Sequence, residues 1–314
     1  MSVIGIGETV YDILFRNDKP DAAIPGGSTF NAMISLGRTV GKLFPEVPVK
    51  MISETGSDHI GDIIVSFMEQ NGVSPEYVTR NKCTQSHISL AFLDANNDAQ
   101  YEFYKDHEHA LLSEEIISTI KFKEGDIVVF GSYFAINPKI RQYTLGLLKA
   151  AHSAGAVLYY DINFRKNHLR DIDATMPNII ENCKLADFVR GSLEDFEYLY
   201  GTRDPEEIYK KYISPHCGNF ICTCAGEPVH VLAPGLHLTF EAPQVETVST
   251  VGAGDNFNAG FVFGLLKEGL SNTSCRSMSP ENWKKTVGTA ELFASEACTR
   301  LDNYIDTDFW NKLK

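Results

Sequence analysis

Short apolar runs alternate along the chain with stretches whose apolar positions return at helical spacing. The runs VIGI from Val3, VKMIS from Val49, IVVFGS from Ile127, VLYYDIN from Val157, FVRG from Phe188 and FICTC from Phe220 read as strands. Between the second and third of these, Ile60, Ile63, Ile64, Phe67 and Met68 fall at i, i+3, i+4, i+7 and i+8, which defines a helix with one apolar face. This alternation predicts an α/β fold, a mainly parallel central sheet flanked by helices. Two regions depart from it. His87 to Asp94 and Gln100 to Tyr104 flank Ala-Asn-Asn-Asp as a hairpin would, and Thr9 to Phe15 reads as a further strand before a loop containing Pro20 and Pro25. These segments, near 9–27 and 84–107, are expected to form a small β lid. No long linker, internal repeat or low-complexity tract interrupts the pattern, so residues 1–314 are expected to form one domain.

Composition narrows the partners. A formal net charge of -13 opposes binding to nucleic acid or anionic lipid, and no Lys/Arg run offsets it locally. An anionic nucleotide can still bind where amides, a few basic residues and a metal ion override the general field. MSVIGIGETV reads as a strand and turn rather than a secretion signal, and no apolar stretch is long enough to span a bilayer, which predicts a cytoplasmic protein. The seven cysteines lack paired CxxC spacing; Cys222 and Cys224 alternate along a strand as buried thiols rather than metal ligands.

The densest chemistry lies in VETVSTVGAGDNFNAGFVFGLLKEG from Val245. Gly252, Ala253 and Gly254 leave room for backbone amides to approach an anion, and the apolar spacing from Phe257 to Leu266 starts a helix there. A helix N-terminus suits the charge on a phosphoryl group in transfer. Asp255, in the first turn, reads equally as a general base toward a bound hydroxyl or as a helix cap. Near the N-terminus, Asp12, the adjacent Gly26 and Gly27, and Asn31 offer acceptors and donors to a hydroxylated ligand, or form a tight turn and a cap. GRTVGK, from Gly37 to Lys42, is one residue short of a Walker motif and lacks the following Ser/Thr.

Taken in order, these motifs resemble the phosphofructokinase-B, or ribokinase-like, carbohydrate kinases over essentially the whole chain, from Gly5 to about Arg300. In that family the GAGD segment forms an anion hole and its aspartate is the base, while the first-strand aspartate and GG-x-x-x-N hold the substrate. The resemblance implies the ribokinase-like fold and ATP with Mg2+ as phosphoryl donor and cofactor. It also gives Asp255, Gly252, Ala253 and Gly254 catalytic roles. GSDHIG, from Gly56 to Gly61, resembles the family's G-x-D-x-x-G turn and is expected to be structural. DINFR, from Asp161 to Arg165, resembles the D-x-N-x-R strand end, which puts Asn163 and Arg165 near the transferred phosphate; a surface salt bridge is the alternative for Arg165. ADFVRGSLEDF resembles the N-x-x-E segment with Ser192 and Asp195 in place of Asn and Glu, which implies that Asp195 orients magnesium through water. FICTCAGEPV resembles the T-x-G nucleotide turn, with Thr223 present, Ala225 at the expected glycine and Gly226 after it.

YEFYKD resembles the fructokinase-like hairpin, with Lys105 at the place of an arginine; it would contact phosphate or an acidic substrate, or be a solvated hairpin lysine. A homodimer through the lid is a further implication. Two departures bear on a monovalent cation: Ser249 replaces the aspartate of V-D-T, and Asp302 stands where R-x-G has glycine, so that site is doubtful. The expected activity is phosphorylation of a primary hydroxyl on a sugar or sugar-like substrate, a fructose-like ketose or keto sugar acid. Alternatives are a nucleoside kinase of the same fold and a catalytically impaired sensor of sugar or nucleotide.

Overall fold

The computed structural model describes residues 1–93, 99–104, 112–270 and 272–314. Cα proximity divides the chain into two units. The first, here the N-terminal unit, comprises Ser2–Ile120, Val245–Ala259 and Leu292–Lys314; the central unit comprises Met1, Lys121–Gln244 and Gly260–Glu291.

In the N-terminal unit, β1 (Val3–Ile6) pairs in parallel with β4 (Val49–Gly56), and β4 with β5 (Val73–Asn81). A second sheet joins β2 (Val10–Arg16), β3 (Lys19–Gly26), β6 (Ile88–Leu93) and β7 (Ala99–Tyr104) in the order β3-β2-β6-β7. Here the structure corrects the sequence reading: the segment with Pro20 and Pro25 is strand β3, not a loop. It lies at the sheet edge, where a missing proline N–H costs no ladder bond. The β2–β3 turn places Asn17 and Asp18 at φ 51° and 59°, the left-handed pair of a type I′ hairpin. β6 and β7 pair antiparallel, as the hairpin pattern requires. The helix Ser28–Leu43 packs on β1 and β4, and the helix His59–Gln70 on β4 and β5. Gly37 to Lys42 lies inside the first of these helices, which removes any phosphate-loop geometry. GSDHIG caps the second: Asp58 accepts the Gly61 N–H at 2.8 Å and holds Ser86 through its N–H at 2.7 Å and its hydroxyl at 2.6 Å.

The central unit builds a sheet from β8 (Ile127–Gly131), β9 (Val157–Asp161), β10 (Phe188–Ser192) and β11 (Asn219–Cys224), all mutually parallel. It continues antiparallel through β12 (Glu227–Ala233) and β13 (Leu236–Phe240). β8 and β9 are buried along their whole length, as strands covered on both faces must be. Tyr159, Phe188 and Trp283 close around Phe261, with ring centroids 5.3, 5.1 and 5.8 Å from it. Phe261 belongs to the helix Ala253–Lys267, whose first turn carries the glycine-rich motif. All seven cysteines are free, and Cys222 is buried. Among the described residues, no helix is long and apolar enough to cross a membrane.

Candidate active site

The glycine-rich turn is fixed from inside by its next residue. Asn256, fully buried, donates through Nδ2 to the Gly252 carbonyl at 2.8 Å and to the Asn303 carbonyl at 2.9 Å. Its Oδ1 accepts the Ser35 hydroxyl at 2.6 Å. Gly252 sits at φ 79° with the Asn303 carbonyl 2.9 Å from where a Cβ would stand, so no other residue fits this turn without strain. The Ala253 N–H closes on the Thr250 carbonyl at 3.2 Å, which withdraws one of the amides expected to face an anion. Gly254 and Asp255 follow in the first helical turn, where N–H groups have no preceding turn to bond.

Asp255 is held at both oxygens: Ser28 Oγ donates to Oδ1 at 2.7 Å and Asn31 Nδ2 to Oδ2 at 2.8 Å. Its geometry therefore exceeds that of a cap, because two side chains from the helix Ser28–Leu43 aim it. Asn31 is 5% exposed, and its Oδ1 is a buried acceptor with no hydrogen-bond partner among the described residues. An acceptor in that state suits a ligand hydroxyl. Asp12, on β2, is buried and accepts the Ser89 hydroxyl. A Cβ on Gly26 would strike the Asp12 carboxylate, and one on Gly27, at φ 119°, would lie 2.5 Å from the Glu8 carbonyl. A small cavity opens here, with Asp12, Ser249 and Asn303 as polar wall and Leu14, Ala91, Tyr101 and Leu301 as apolar wall. Ser249 Oγ accepts the Val251 N–H at 3.2 Å, and Asp302 pairs with Arg300 at 3.1 Å.

The central unit gathers the remaining candidates at the carboxyl ends of its parallel strands. Asn163, just past β9, has φ 38° and donates through Nδ2 to Ser132 Oγ at 2.7 Å; Ser132, just past β8, is itself at φ 53°. Two left-handed non-glycine residues bonded to each other mark a backbone held against its preference. Arg165 is exposed and makes no ion pair among the described residues, so the surface salt bridge weighed for it is not formed there. Ser192 and Asp195 form a capping box: the Ser192 N–H donates to Asp195 Oδ2 at 2.7 Å, and the Asp195 N–H to Ser192 Oγ at 3.1 Å. Burial, with the negative charge of Asp161 behind it, pushes the Asp195 carboxyl up to about 6, against the pull of the Ser192 N–H and the arginines. Thr223, on β11, accepts from Arg190 at 2.6 Å. Gly226 turns between β11 and β12 at φ 71°, with open space around it. Lys105 lies outside the described residues.

Magnesium fits this donor set only sparsely. Among the described residues no cluster of three His, Cys, Asp or Glu side chains is arranged for a metal. Asp195 already spends one oxygen on its capping box. Such a carboxylate matches an ion that keeps its waters and takes its other ligands from phosphate.

Sequence reasoning did not single out Ser28, Asn256, Ser89, Ser132 or Arg190. The first had a visible signal: Ser28, Asn31 and Ser35 stand at i, i+3 and i+7 on one face of a mostly buried helix. The others meet partners far along the chain.

The chain is similar to known proteins over most of its length. Residues 6–303 match the pfkB family of carbohydrate kinases. Over 249 residues the chain is 24% identical to a probable chloroplastic fructokinase-6 of Arabidopsis thaliana, an alignment covering 78% of this chain and 63% of that protein. In three dimensions it is similar to aminoimidazole riboside kinase from Salmonella enterica, solved with aminoimidazole riboside and an ATP analogue (TM-score 0.83, 18% identity, 100% of this chain and 98% of that one). It is also similar to fructokinase from Xylella fastidiosa with bound ATP (TM-score 0.82, 20% identity, 99% and 97%). The fold is thus ribokinase-like, as the motif order implies.

Asn256→Leu preserves the shape of the side chain but leaves the buried Asn303 carbonyl and Ser35 hydroxyl without it, while the Gly252 carbonyl keeps the backbone N–H of residue 256 at 2.9 Å. At about 1–3 kcal/mol for each buried group left unsatisfied, the variant should lose at least ~2 kcal/mol of stability in a urea titration.

Proposed function

The chain belongs to the pfkB family of carbohydrate kinases, and on that premise we propose that it transfers the terminal phosphoryl group of ATP to a primary hydroxyl of a sugar or sugar-like acceptor. The observation that carries this reading is Asp255, aimed by Ser28 and Asn31 in the first turn of the helix Ala253–Lys267. In this reading the acceptor hydroxyl gives its proton to Asp255 as its oxygen attacks the terminal phosphorus, and ADP leaves. Gly252, Ala253 and Gly254 shape the turn whose first-turn amides face the developing negative charge. Arg165, exposed and without a competing ion pair among the described residues, clamps the phosphate, and Asn163 supports that side. Asp12, Gly26, Gly27 and Asn31 orient the acceptor, with Lys105 on the hairpin; Ser192, Thr223 and Gly226 serve the nucleotide. Magnesium, when bound, neutralises phosphate charge, and Asp195 would hold it through water.

We take residues 1–314 as one functional domain, with the sheet β3-β2-β6-β7 as a lid that excludes water. Tyr101 and Phe103, 40% and 44% exposed on β7, support a homodimer through that sheet. Fructose-like ketoses and keto sugar acids remain the favoured acceptors. A nucleoside is the second reading, because Leu14, Ala91, Tyr101 and Leu301 give the cavity an apolar wall that a base would cover.

A panel of ketoses, sugar acids and nucleosides, assayed for ATP-dependent phosphorylation, tests the proposal; no product with any of them would overturn it. With the best acceptor, Asp255→Asn should lower kcat by about 10²- to 10⁴-fold while acceptor binding, read by calorimetry, stays within about twofold.

The pH dependence follows from Asp195. Its carboxyl titrates near 6 when folded, above the ordinary 3.8, so this group favours folding below about pH 4 and opposes it increasingly as pH rises through 6. Its proposed role needs the carboxylate and is lost in the other direction. At limiting magnesium, activity should fall as pH drops through about 6, and Asp195→Asn should remove that limb from the profile.

Ser249 bonds its own turn, and Asp302 is paired with Arg300. Turnover should therefore change less than about twofold when potassium is replaced by a large organic cation, because neither group offers an uncompensated charge.

A further inference from the structure

Arg190 lies in ADFVRGSLEDF but at none of that motif's named positions, yet it links three neighbouring strands. It stands on β10 directly opposite Asp161 on β9, and its Nη1 donates to Asp161 Oδ1 at 3.0 Å. Its Nη2 donates to Thr223 Oγ1, on β11, at 2.6 Å. The two charged side chains are 8% and 5% exposed, and Thr223 is buried beside them. The bonds therefore form in a region where water competes little and geometry is held.

The direction of the second bond matters. A guanidinium has five N–H groups and no lone pair to offer, so Thr223 Oγ1 must be the acceptor. The Thr223 hydroxyl then has its own proton to give, and no acceptor for it is found among the described residues. A donating cation also polarises the hydroxyl and makes it a stronger donor. Thr223 is the penultimate residue of β11, at the carboxyl end of a parallel strand, where open α/β sheets bind their ligands. Asp161 fixes the other end of the fork, so the guanidinium cannot swing away without abandoning a buried carboxylate.

We propose that Arg190 is a positioning residue for the phosphoryl donor: by donating to Thr223 it presents the Thr223 hydroxyl as a hydrogen-bond donor to an anionic oxygen of the nucleotide. This inference rests on the kinase reading above. It adds a residue that acts on the nucleotide only through another side chain.

Binding of a fluorescent ATP analogue tests it without requiring turnover. Thr223→Val keeps the shape and removes the proton; it should weaken binding about tenfold, the loss of roughly one hydrogen bond, and Thr223→Ser should restore it. Arg190→Lys keeps the charge beside Asp161 but has no fork to reach both partners, and it should lose about the same factor. If the two act as one unit, the double variant Arg190→Lys/Thr223→Val binds within about twofold of either single variant. A merely structural Arg190 would give multiplied losses near a hundredfold or would weaken acceptor binding equally, and either result overturns the proposal. So does parental affinity in Thr223→Val. Should Arg190→Lys fail to fold, the pair Arg190→Gln/Asp161→Asn replaces it, with the same comparison against Thr223→Val. Absence of analogue binding in the parent protein would overturn the kinase reading and this inference with it, whereas normal parental binding with an unaffected Thr223→Val removes this inference alone.

Discussion

One buried carboxamide sets the geometry on which the candidate site depends. Asn256 accepts a hydrogen bond from Ser35 and donates two, to the carbonyls of Gly252 and Asn303, so the glycine turn, the helix Ser28–Leu43 and the segment near Asn303 share one hub. A loop of small residues has little side-chain packing to hold it, and glycine gains the most freedom on release. Without such a hub the amides of the turn would sample many orientations. The same helix that Asn256 grips through Ser35 supplies Ser28 and Asn31 to Asp255, so the acid and the turn are positioned by one rigid element.

The strand ends of the central unit obey a different constraint. There, charges are buried close together and must be matched: Arg190 answers Asp161, and the Asp195 carboxyl rises to about 6 because burial and Asp161 outweigh the cations that favour its ionised form. Hydrogen bonds across β8, β9, β10 and β11, through Ser132 with Asn163, Asp161 with Arg190, and Arg190 with Thr223, add lateral order beyond the sheet ladder. A row of this kind fixes where neighbouring side chains point, which a ladder of backbone bonds alone leaves open.

Much of this was legible in the residues. The parallel strands announced themselves as continuous apolar runs, while Asp255, Gly27 and Asn31 each read equally as a cap or turn and stood out only through the order of their motifs along the chain. β5 was harder to see, since Glu76, Thr79 and Arg80 break its apolar run in a strand with β4 as its neighbour. β3 was misread because proline usually signals a loop, and only its edge position makes Pro20 and Pro25 acceptable. Ser89, Asn303 and Arg190 carried no local signal at all. Ser89 meets Asp12 from another strand, and Asn303 contributes a backbone carbonyl, which any residue would possess. What the linear pattern hides is partnership between distant positions.

The apolar wall of the cavity has a different status from Asp255, which is not among the residues that line it. Asp255 is held by Ser28 and Asn31, neither of which lines the cavity, so exchanging Leu14, Ala91, Tyr101 or Leu301 for a larger or smaller side chain reshapes the cavity while leaving those two donors in place. In the proposed reading, acceptor preference and reaction chemistry thereby fall on separate sets of residues. In that reading, a single substitution in the wall would change which acceptor binds while the carboxylate and its two donors keep the same chemistry.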